Sequence, residues 1–164
     1  MSAVAELTVS VADEVARRIA NPWSIPKPPR PPEALRSTGV RAVGIDVVDV
    51  TRLESLVARR GDRLVARLLT PAERGLCAGA AAGYRLNFVA GRLAAKEAVR
   101  KTLTGYGTRA GWHDVQIMRG SSGEPLPELS GRAEEAFRMA GLSRLHLSIT
   151  HEGGVAVAVA LASD

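Results

Sequence analysis

The sequence has a single cysteine, Cys77, and aromatic residues make up only 4% of its 164 residues. One cysteine excludes a disulfide within the chain and any cysteine-rich zinc module. Such usage is typical of a reducing compartment, and we predict the cytoplasm. With so few aromatic residues, the core must be built from Val, Leu, Ile and Ala. No run of about 18 apolar residues is present, so a transmembrane helix is excluded and no membrane partner is expected.

The charge balance is basic, with 22 Lys and Arg against 17 Asp and Glu, a formal charge of +5. Such an excess indicates an anionic partner, either nucleic acid, a phosphate-rich small molecule or an acidic protein, or else a basic surface without function. An RNA-binding module would place aromatic residues among the basic ones. Tyr84, Phe88, Tyr106 and Trp112 are not arranged in that way. We therefore keep RNA binding as the alternative and predict no nucleic-acid partner.

The first 39 residues differ in composition and patterning from the rest of the chain. Apolar residues recur every three or four positions and predict an amphipathic helix over residues 3–20. Six of the nine prolines follow within residues 22–32, which predicts an extended linker because proline lacks an amide hydrogen. We divide the chain into an N-terminal helix and proline-rich linker, residues 1–39, and a domain, residues 40–164.

The domain reads as a series of strands and helices. The patterns predict strands over 40–50, 112–118, 126–129, 145–150 and 155–162, and helices over 51–60, 62–69, 86–103 and 130–139, with a short capped helix from Thr70. This order does not alternate strictly between strand and helix. It favours an α+β fold with a small, mainly antiparallel sheet and one long helix packed on it.

Two acidic residues stand in apolar surroundings. Asp46 lies within the first strand, and Glu97 lies in the alanine-rich part of the long helix. Burying an unpaired carboxylate costs several kcal/mol, and two carboxylates close together repel unless a cation lies between them. A divalent ion with oxygen ligands, Mg²⁺ above all, resolves both problems. The alternative is that each acid pairs with a nearby arginine.

Basic residues surround Glu97 on the long helix. Arg92, Lys96, Arg100 and Lys101 lie within a turn and a half, and Lys101 follows Glu97 by four residues on the same face. A lysine on phosphate together with Mg²⁺ on carboxylate is suited to handling a pyrophosphate. The alternative is a solvated helix face with an ion pair of about 0.3–0.5 kcal/mol.

Several motifs carry a family resemblance. Gly44-Ile45-Asp46, with Arg52 six positions after the aspartate, resembles the first motif of the phosphopantetheinyl transferases. The segment 88–98, Phe-Val-Ala-Gly-Arg-Leu-Ala-Ala-Lys-Glu-Ala, followed by Lys101, is similar to their second motif. Residues 145–151 resemble the final strands of the holo-acyl-carrier-protein synthase type. The resemblance covers about residues 40–163.

The resemblance implies a reaction and a site. These enzymes move 4′-phosphopantetheine from coenzyme A to a serine of an apo acyl carrier protein and release adenosine 3′,5′-bisphosphate. Asp46 and Glu97 match the positions that hold Mg²⁺, and with Lys101 they form the expected catalytic set. Lys101, Arg92 and Lys96 would neutralise phosphate oxygens. The proton of the attacking serine would pass to Glu97 or to a water on the metal.

Three further residues are expected to contact coenzyme A. The glycines at 105 and 107 would let backbone amides approach phosphate oxygens, although such a pair is also a common helix stop. His151 matches a family position near the coenzyme A site, or is a histidine of a surface turn. The larger, two-lobed branch of the family carries an acid at the position of Val48, so the resemblance favours the small branch and leaves water to complete the metal shell.

The arginines of the first helices predict a docking surface. Residues 52–74 carry a local excess of three positive charges, and acyl carrier proteins are acidic, so Arg52, Arg59 and Arg63 are expected to dock the carrier. The small branch is typically trimeric, which implies a homotrimer here. The carrier's pathway, fatty-acid, polyketide or peptide, stays open. The remaining alternative is a non-catalytic scaffold of the same fold.

Overall fold

A computed structural model describes residues 39–104 and 110–164 of the chain. Both the helix predicted over 3–20 and the proline-rich linker lie outside the described residues. The elements of the described part are β1 (Val40–Asp49), α1 (Val50–Arg60), α2 (Asp62–Leu68), α3 (Pro71–Gly75), α4 (Ala82–Leu103), β2 (Val115–Arg119), β3 (Pro125–Leu129), α5 (Gly131–Met139), β4 (Arg144–Glu152) and β5 (Val155–Ser163).

The main sheet has three antiparallel strands in the order β1-β5-β4. Side chains alternate between its two faces, as the two-residue period of a strand requires. On one face, β5 presents only alanines at its centre, and these are buried: Ala156, Ala158, Ala160 and Ala162. On the opposite face, β1 presents large apolar side chains that are more than half exposed: Val40, Val43, Ile45 and Val47.

The long helix α4 packs on the alanine face, and two glycines allow its close approach. A Cβ added at Gly44 of β1 would lie 1.9 Å from the carbonyl oxygen of Ala98. A Cβ at Gly91 of α4 would lie 2.6 Å from the His151 ring on β4. These small residues fix the position of α4 on the sheet, and with it the positions of its charged side chains.

A separate antiparallel pair, β2 and β3, completes the core, with β2 packed against α4 and β3 against β4. Val115 and Ile117 of β2 are fully buried, and they share one core cluster with α4 residues and with the alanines of β5. The only aromatic side chain buried in the described core is Phe88. Small aliphatic residues therefore build this core, as the composition predicted.

The predicted α+β fold, with an antiparallel sheet and one long helix on it, is confirmed. The hairpin of β4 and β5 is also observed, and its turn places Gly153 and Gly154 at φ of 56° and 79°, where glycine is favoured. Two boundaries were wrong by three residues or more. The long helix begins at Ala82 rather than residue 86, and β2 begins at Val115 rather than residue 112.

Candidate functional site

Asp46 lies on the face of β1 that turns toward α4, between Gly44 and Val48. Its Oδ1 accepts a hydrogen bond from Lys101 Nζ at 2.8 Å, and the same ammonium group donates to the Ile45 carbonyl at 2.6 Å. The Asp46 side chain is 20% exposed and that of Lys101 is 49% exposed. The Asp46 carboxylate, although it belongs to an apolar strand, thus lies at the edge of the core and pairs with the Lys101 ammonium group of α4.

Glu97 lies one helical turn before Lys101 on α4 and is partly buried. Its Oε1 accepts from Arg100 Nη1 at 2.6 Å. The Arg100 guanidinium in turn lies over the Trp112 ring, 4.7 Å from its centroid, a favourable cation–π arrangement. Trp112 therefore supports the arginine that orients Glu97.

The two acids belong to one small region at the end of α4. Asp46 is bonded to Lys101, and a cavity of about 110 Å³ is lined by Glu97, Arg100 and Lys101 together with Thr104 and Ala110. Each acid has a basic partner, a lysine for Asp46 and an arginine for Glu97. Within residues 39–104 and 110–164, no group of three or more His, Cys, Asp or Glu side chains could hold a metal ion. Any metal here would have two carboxylates as its protein ligands.

The position of Lys96 differs from the prediction that it binds phosphate. Its side chain is fully buried and forms an ion pair with the fully buried Glu73 at 2.7 Å. Lys96 Nζ also donates to the Trp112 carbonyl at 2.8 Å. Burial lowers the pKa of Lys96, and the hydrogen bond that Lys96 donates to Glu73 opposes that shift. This ammonium group has no path to an external phosphate in the structure, and it serves instead to hold α3, α4 and Trp112 together.

Arg92 is 92% buried, and its guanidinium lies 4.3 Å from the centroid of the Phe88 ring. In the described residues, Arg92 Nε is the one buried side-chain polar atom without a hydrogen-bond partner. Burial lowers the pKa of Arg92, opposed by the nearby Glu73 charge and reinforced by that of Arg119. A buried donor without an acceptor is costly.

Of the remaining residues predicted to contact coenzyme A, the structure describes only His151. Gly105 and Gly107 lie outside the described residues. His151 shares the sheet face of Asp46 and packs against α4, where its Nε2 lies 2.9 Å from the Asn87 carbonyl oxygen. His146 lies on the opposite face in register with Leu161, so the two histidines do not converge.

The predicted docking arginines are all exposed. Arg52 and Arg59 are seven residues apart on α1 and lie on one face of that helix, and Arg63 follows on α2. Glu73 was counted as one of the negative charges of residues 52–74, but its side chain is buried with Lys96. The surface formed by residues 52–74 is therefore more basic than the sequence count indicates.

Two residues with a role near the site were not predicted, Glu73 and Trp112. Glu73 accepts from the Thr70 amide in a capping box at 2.7 Å, and its second oxygen accepts from the Ile117 amide at 2.9 Å. The Thr70-Pro71-Ala72-Glu73 sequence matches the capping-box pattern and predicts the bond between Glu73 and the Thr70 amide. No local pattern indicates the bond to Ile117, or the contacts of Trp112 with Lys96 and Arg100.

This arrangement of acid-bearing strand and basic helix agrees with a family comparison. Residues 42–160 match the model of the 4′-phosphopantetheinyl transferase superfamily. The chain belongs to this superfamily. The resemblance read from the motifs is thereby confirmed, and with it the prediction that the chain is a transferase of this type.

Similar proteins cover most of the domain. A holo-[acyl-carrier-protein] synthase of Desulforudis audaxviator is 44% identical over 124 residues, which is 75% of this chain and 92% of that protein. Among solved structures, the same enzyme of Helicobacter pylori in complex with coenzyme A is 33% identical, with a TM-score of 0.63 over 74% of this chain and 99% of that one. The Bacillus anthracis enzyme with CoA (3′,5′-ADP) is 31% identical, with a TM-score of 0.61 over 77% and 100% of the two chains.

In the part of the chain that the structure describes, no helix combines the length and apolar character needed to cross a membrane. Although α4 has 22 residues, it carries several charged side chains along its length.

Proposed function

We propose that this chain is a cytoplasmic holo-acyl-carrier-protein synthase. It transfers the 4′-phosphopantetheine arm of coenzyme A to a serine of an apo acyl carrier protein and releases adenosine 3′,5′-bisphosphate. The observation that carries the proposal is the joint position of Asp46, Glu97 and Lys101 at one end of α4, in a chain of this superfamily. Relatives with bound coenzyme A support the choice of substrate.

The donor set fits Mg²⁺. Two carboxylate oxygens are hard ligands, and Mg²⁺ is commonly held by one or two carboxylates while water and substrate phosphates complete its shell. Asp46 and Glu97 would hold the ion. When bound, it would supply positive charge to the pyrophosphate as the bond to the transferred phosphorus breaks.

The protein's own cations account for the rest of the phosphate charge. Lys101 is half exposed at the rim beside Asp46, within reach of a substrate in the cavity. Arg92, which is 8% exposed, remains a proposed phosphate contact through its guanidinium group. Gly105, Gly107 and His151 remain proposed contacts of coenzyme A, whereas Lys96 is assigned to the interior.

The carrier protein would dock on Arg52, Arg59 and Arg63. These side chains extend from α1 and α2, and α1 follows directly after the strand that bears Asp46. Asp49 links the two elements, because its Oδ1 caps α1 by accepting from the Arg52 amide at 2.9 Å. An acidic carrier held on α1 would therefore bring its serine toward the end of β1 where Asp46 lies.

We further propose that the protein works as a homotrimer, assembled through the outer face of the main sheet. On that face Val43, Ile45 and Val47 of β1 are 56–60% exposed. They lie in register with Leu161, Val159 and Val157 of β5, which are only half-buried. A contiguous apolar sheet face of this kind is typical of a surface that another protein covers. A second copy of the chain is the partner that the small branch of the family implies.

The test of the reaction is mass spectrometry of an apo carrier incubated with the protein, coenzyme A and Mg²⁺. We expect a gain of about 340 Da, the mass of the transferred arm. Glu97→Gln should abolish the gain while circular dichroism shows a folded protein. Glu128→Gln is the matched control, because Glu128 lies on β3 and pairs with Gln116. Full transfer by Glu97→Gln would refute the assignment of the metal site.

A further inference from the structure

The basic partners of the two site acids come from a single turn of α4. Lys101 bonds Asp46, and Arg100 bonds Glu97. Both carboxylates are at least 70% buried, at 20% and 30% exposure. Charge imbalance is more costly here than in water because the effective dielectric constant is lower. The four side chains together are close to electrically neutral.

The backbone contact at Gly44 holds Lys101 in this arrangement. The Cβ that Gly44 lacks would lie 3.1 Å from the Lys101 Cβ, so the lysine stem starts directly above β1. Its ammonium group then reaches the Ile45 carbonyl and Asp46. Arg100 is fixed similarly, since its guanidinium rests on the Trp112 ring. Each cation therefore has defined partners in this structure.

A divalent ion entering this neutral cluster would leave two positive charges uncompensated. A pyrophosphate alone would leave negative charges uncompensated. The cluster returns to balance when both are present, with Lys101 moved from Asp46 to a phosphate oxygen and the ion next to the carboxylates.

We propose that Lys101 is an exchangeable counter-ion that couples the metal to coenzyme A. In the absence of coenzyme A it neutralises Asp46 and weakens metal binding. When coenzyme A is bound, Lys101 pairs with its phosphates, and the metal binds more tightly. Because coupling between two ligands is reciprocal, the metal also tightens coenzyme A binding. This inference rests on the proposed function.

The test is a titration of the metal-depleted protein with Mn²⁺, followed by the electron paramagnetic resonance of free Mn²⁺, with and without coenzyme A. Coenzyme A should tighten Mn²⁺ binding to the unaltered protein about tenfold or more. Lys101→Gln keeps a hydrogen-bond donor but removes the charge. It should bind Mn²⁺ about tenfold more tightly than the unaltered protein when coenzyme A is absent, and coenzyme A should tighten that binding much less.

Two controls separate this effect from a general change of charge. Lys101→Arg keeps the positive charge and should bind Mn²⁺ like the unaltered protein. Arg138→Gln removes a charge from exposed α5, distant in sequence from the site acids, and should also leave Mn²⁺ binding unchanged. Melting curves confirm that each variant is folded.

The inference is overturned if Lys101→Gln binds Mn²⁺ no more tightly than the unaltered protein without coenzyme A, or if Arg138→Gln tightens it equally. If a phosphate of coenzyme A coordinates the metal directly, coenzyme A would still tighten Mn²⁺ binding. That tightening would be the same in the unaltered protein and in Lys101→Gln. Failure of the proposed function gives a different result, since the apo carrier would then gain no mass with any variant.

Discussion

Glu73→Gln should destabilise the protein far more than its single-atom change indicates. Glu73 is fully buried and accepts bonds from Lys96, the Thr70 amide and the Ile117 amide. Glutamine keeps one acceptor oxygen and places an NH2 group where the other oxygen was, against either Lys96 and the Thr70 amide or the Ile117 amide. In both orientations the buried Lys96 ammonium loses its counter-charge. Removing one partner of such a pair costs about 3–5 kcal/mol, a large part of the stability of an ordinary domain.

The loss should depend on pH, and the sign follows from Lys96. Burial holds the pKa of Lys96 below its ordinary value in the folded protein, with Glu73 opposing the shift. At pH values between the Lys96 pKa of the folded protein and that of the unfolded chain, the unfolded chain binds more protons than the folded protein. The free energy of unfolding therefore rises with pH in this range. Without Glu73 the folded pKa falls further, and this window extends to lower pH. The destabilisation by Glu73→Gln should therefore be largest at neutral pH and shrink in alkali. It should not vanish, because the neighbouring Arg92 stays charged.

Urea denaturation at fixed protein concentration, at about pH 7 and again at about pH 10 near the ordinary lysine pKa, measures both effects. Glu128→Gln changes an exposed carboxylate and should cost less than about 0.5 kcal/mol. Joint replacement, Glu73→Gln with Lys96→Met, removes the unpaired ammonium group as well and should recover part of the loss, because glutamine still accepts a backbone hydrogen bond. Equal losses for Glu73→Gln and Glu128→Gln, or a loss independent of pH, would refute the reasoning.

Three further predictions concern the strand, the carrier and assembly. Gly44→Ala should destabilise the domain by about 3 kcal/mol in urea denaturation, because its Cβ would collide with the Ala98 carbonyl; a change below about 1 kcal/mol would show that the helix moves freely from β1. Arg52→Glu should raise the KM for the apo carrier and leave coenzyme A binding nearly unchanged, whereas equal losses would argue against docking on α1. Ile45→Glu should convert the proposed trimer to monomers in sedimentation velocity, and a fully active monomer of the unaltered protein would contradict the proposed assembly.

Local patterns predicted most of the fold. The alternation of β4 and β5 around two glycines specifies a hairpin, and both the hairpin and the long helix are observed. The start of α4 was placed too late because residues 79–83 are all Gly or Ala and show no apolar periodicity, although alanine is the strongest helix former. The separate β2–β3 sheet could not be foreseen, since which strands pair depends on contacts distant in sequence.

The candidate site was predictable where a residue contradicted its surroundings. Asp46 was identified because a charge within an apolar strand needs a partner, and the structure provides one in Lys101. Lys96 was assigned wrongly because its sequence neighbours give no sign that its side chain is buried. A helical period places Arg92, Lys96 and Arg100 along one stripe, but it does not reveal that the middle member faces a buried glutamate from α3. Burial of a charge is a property of tertiary packing, and the sequence of α4 alone does not contain it.

The pairing of β1 with β5 places the two ends of the domain side by side. Val40 is in register with Ser163, and the Asp164 amide donates to the Gly39 carbonyl at 3.1 Å. A short peptide joining residue 164 to residue 39 would therefore span only a few ångströms. New termini could be opened at the exposed Ser121–Gly123 turn between β2 and β3. Such a circular permutant of residues 39–164 would retain every strand pair of the two sheets.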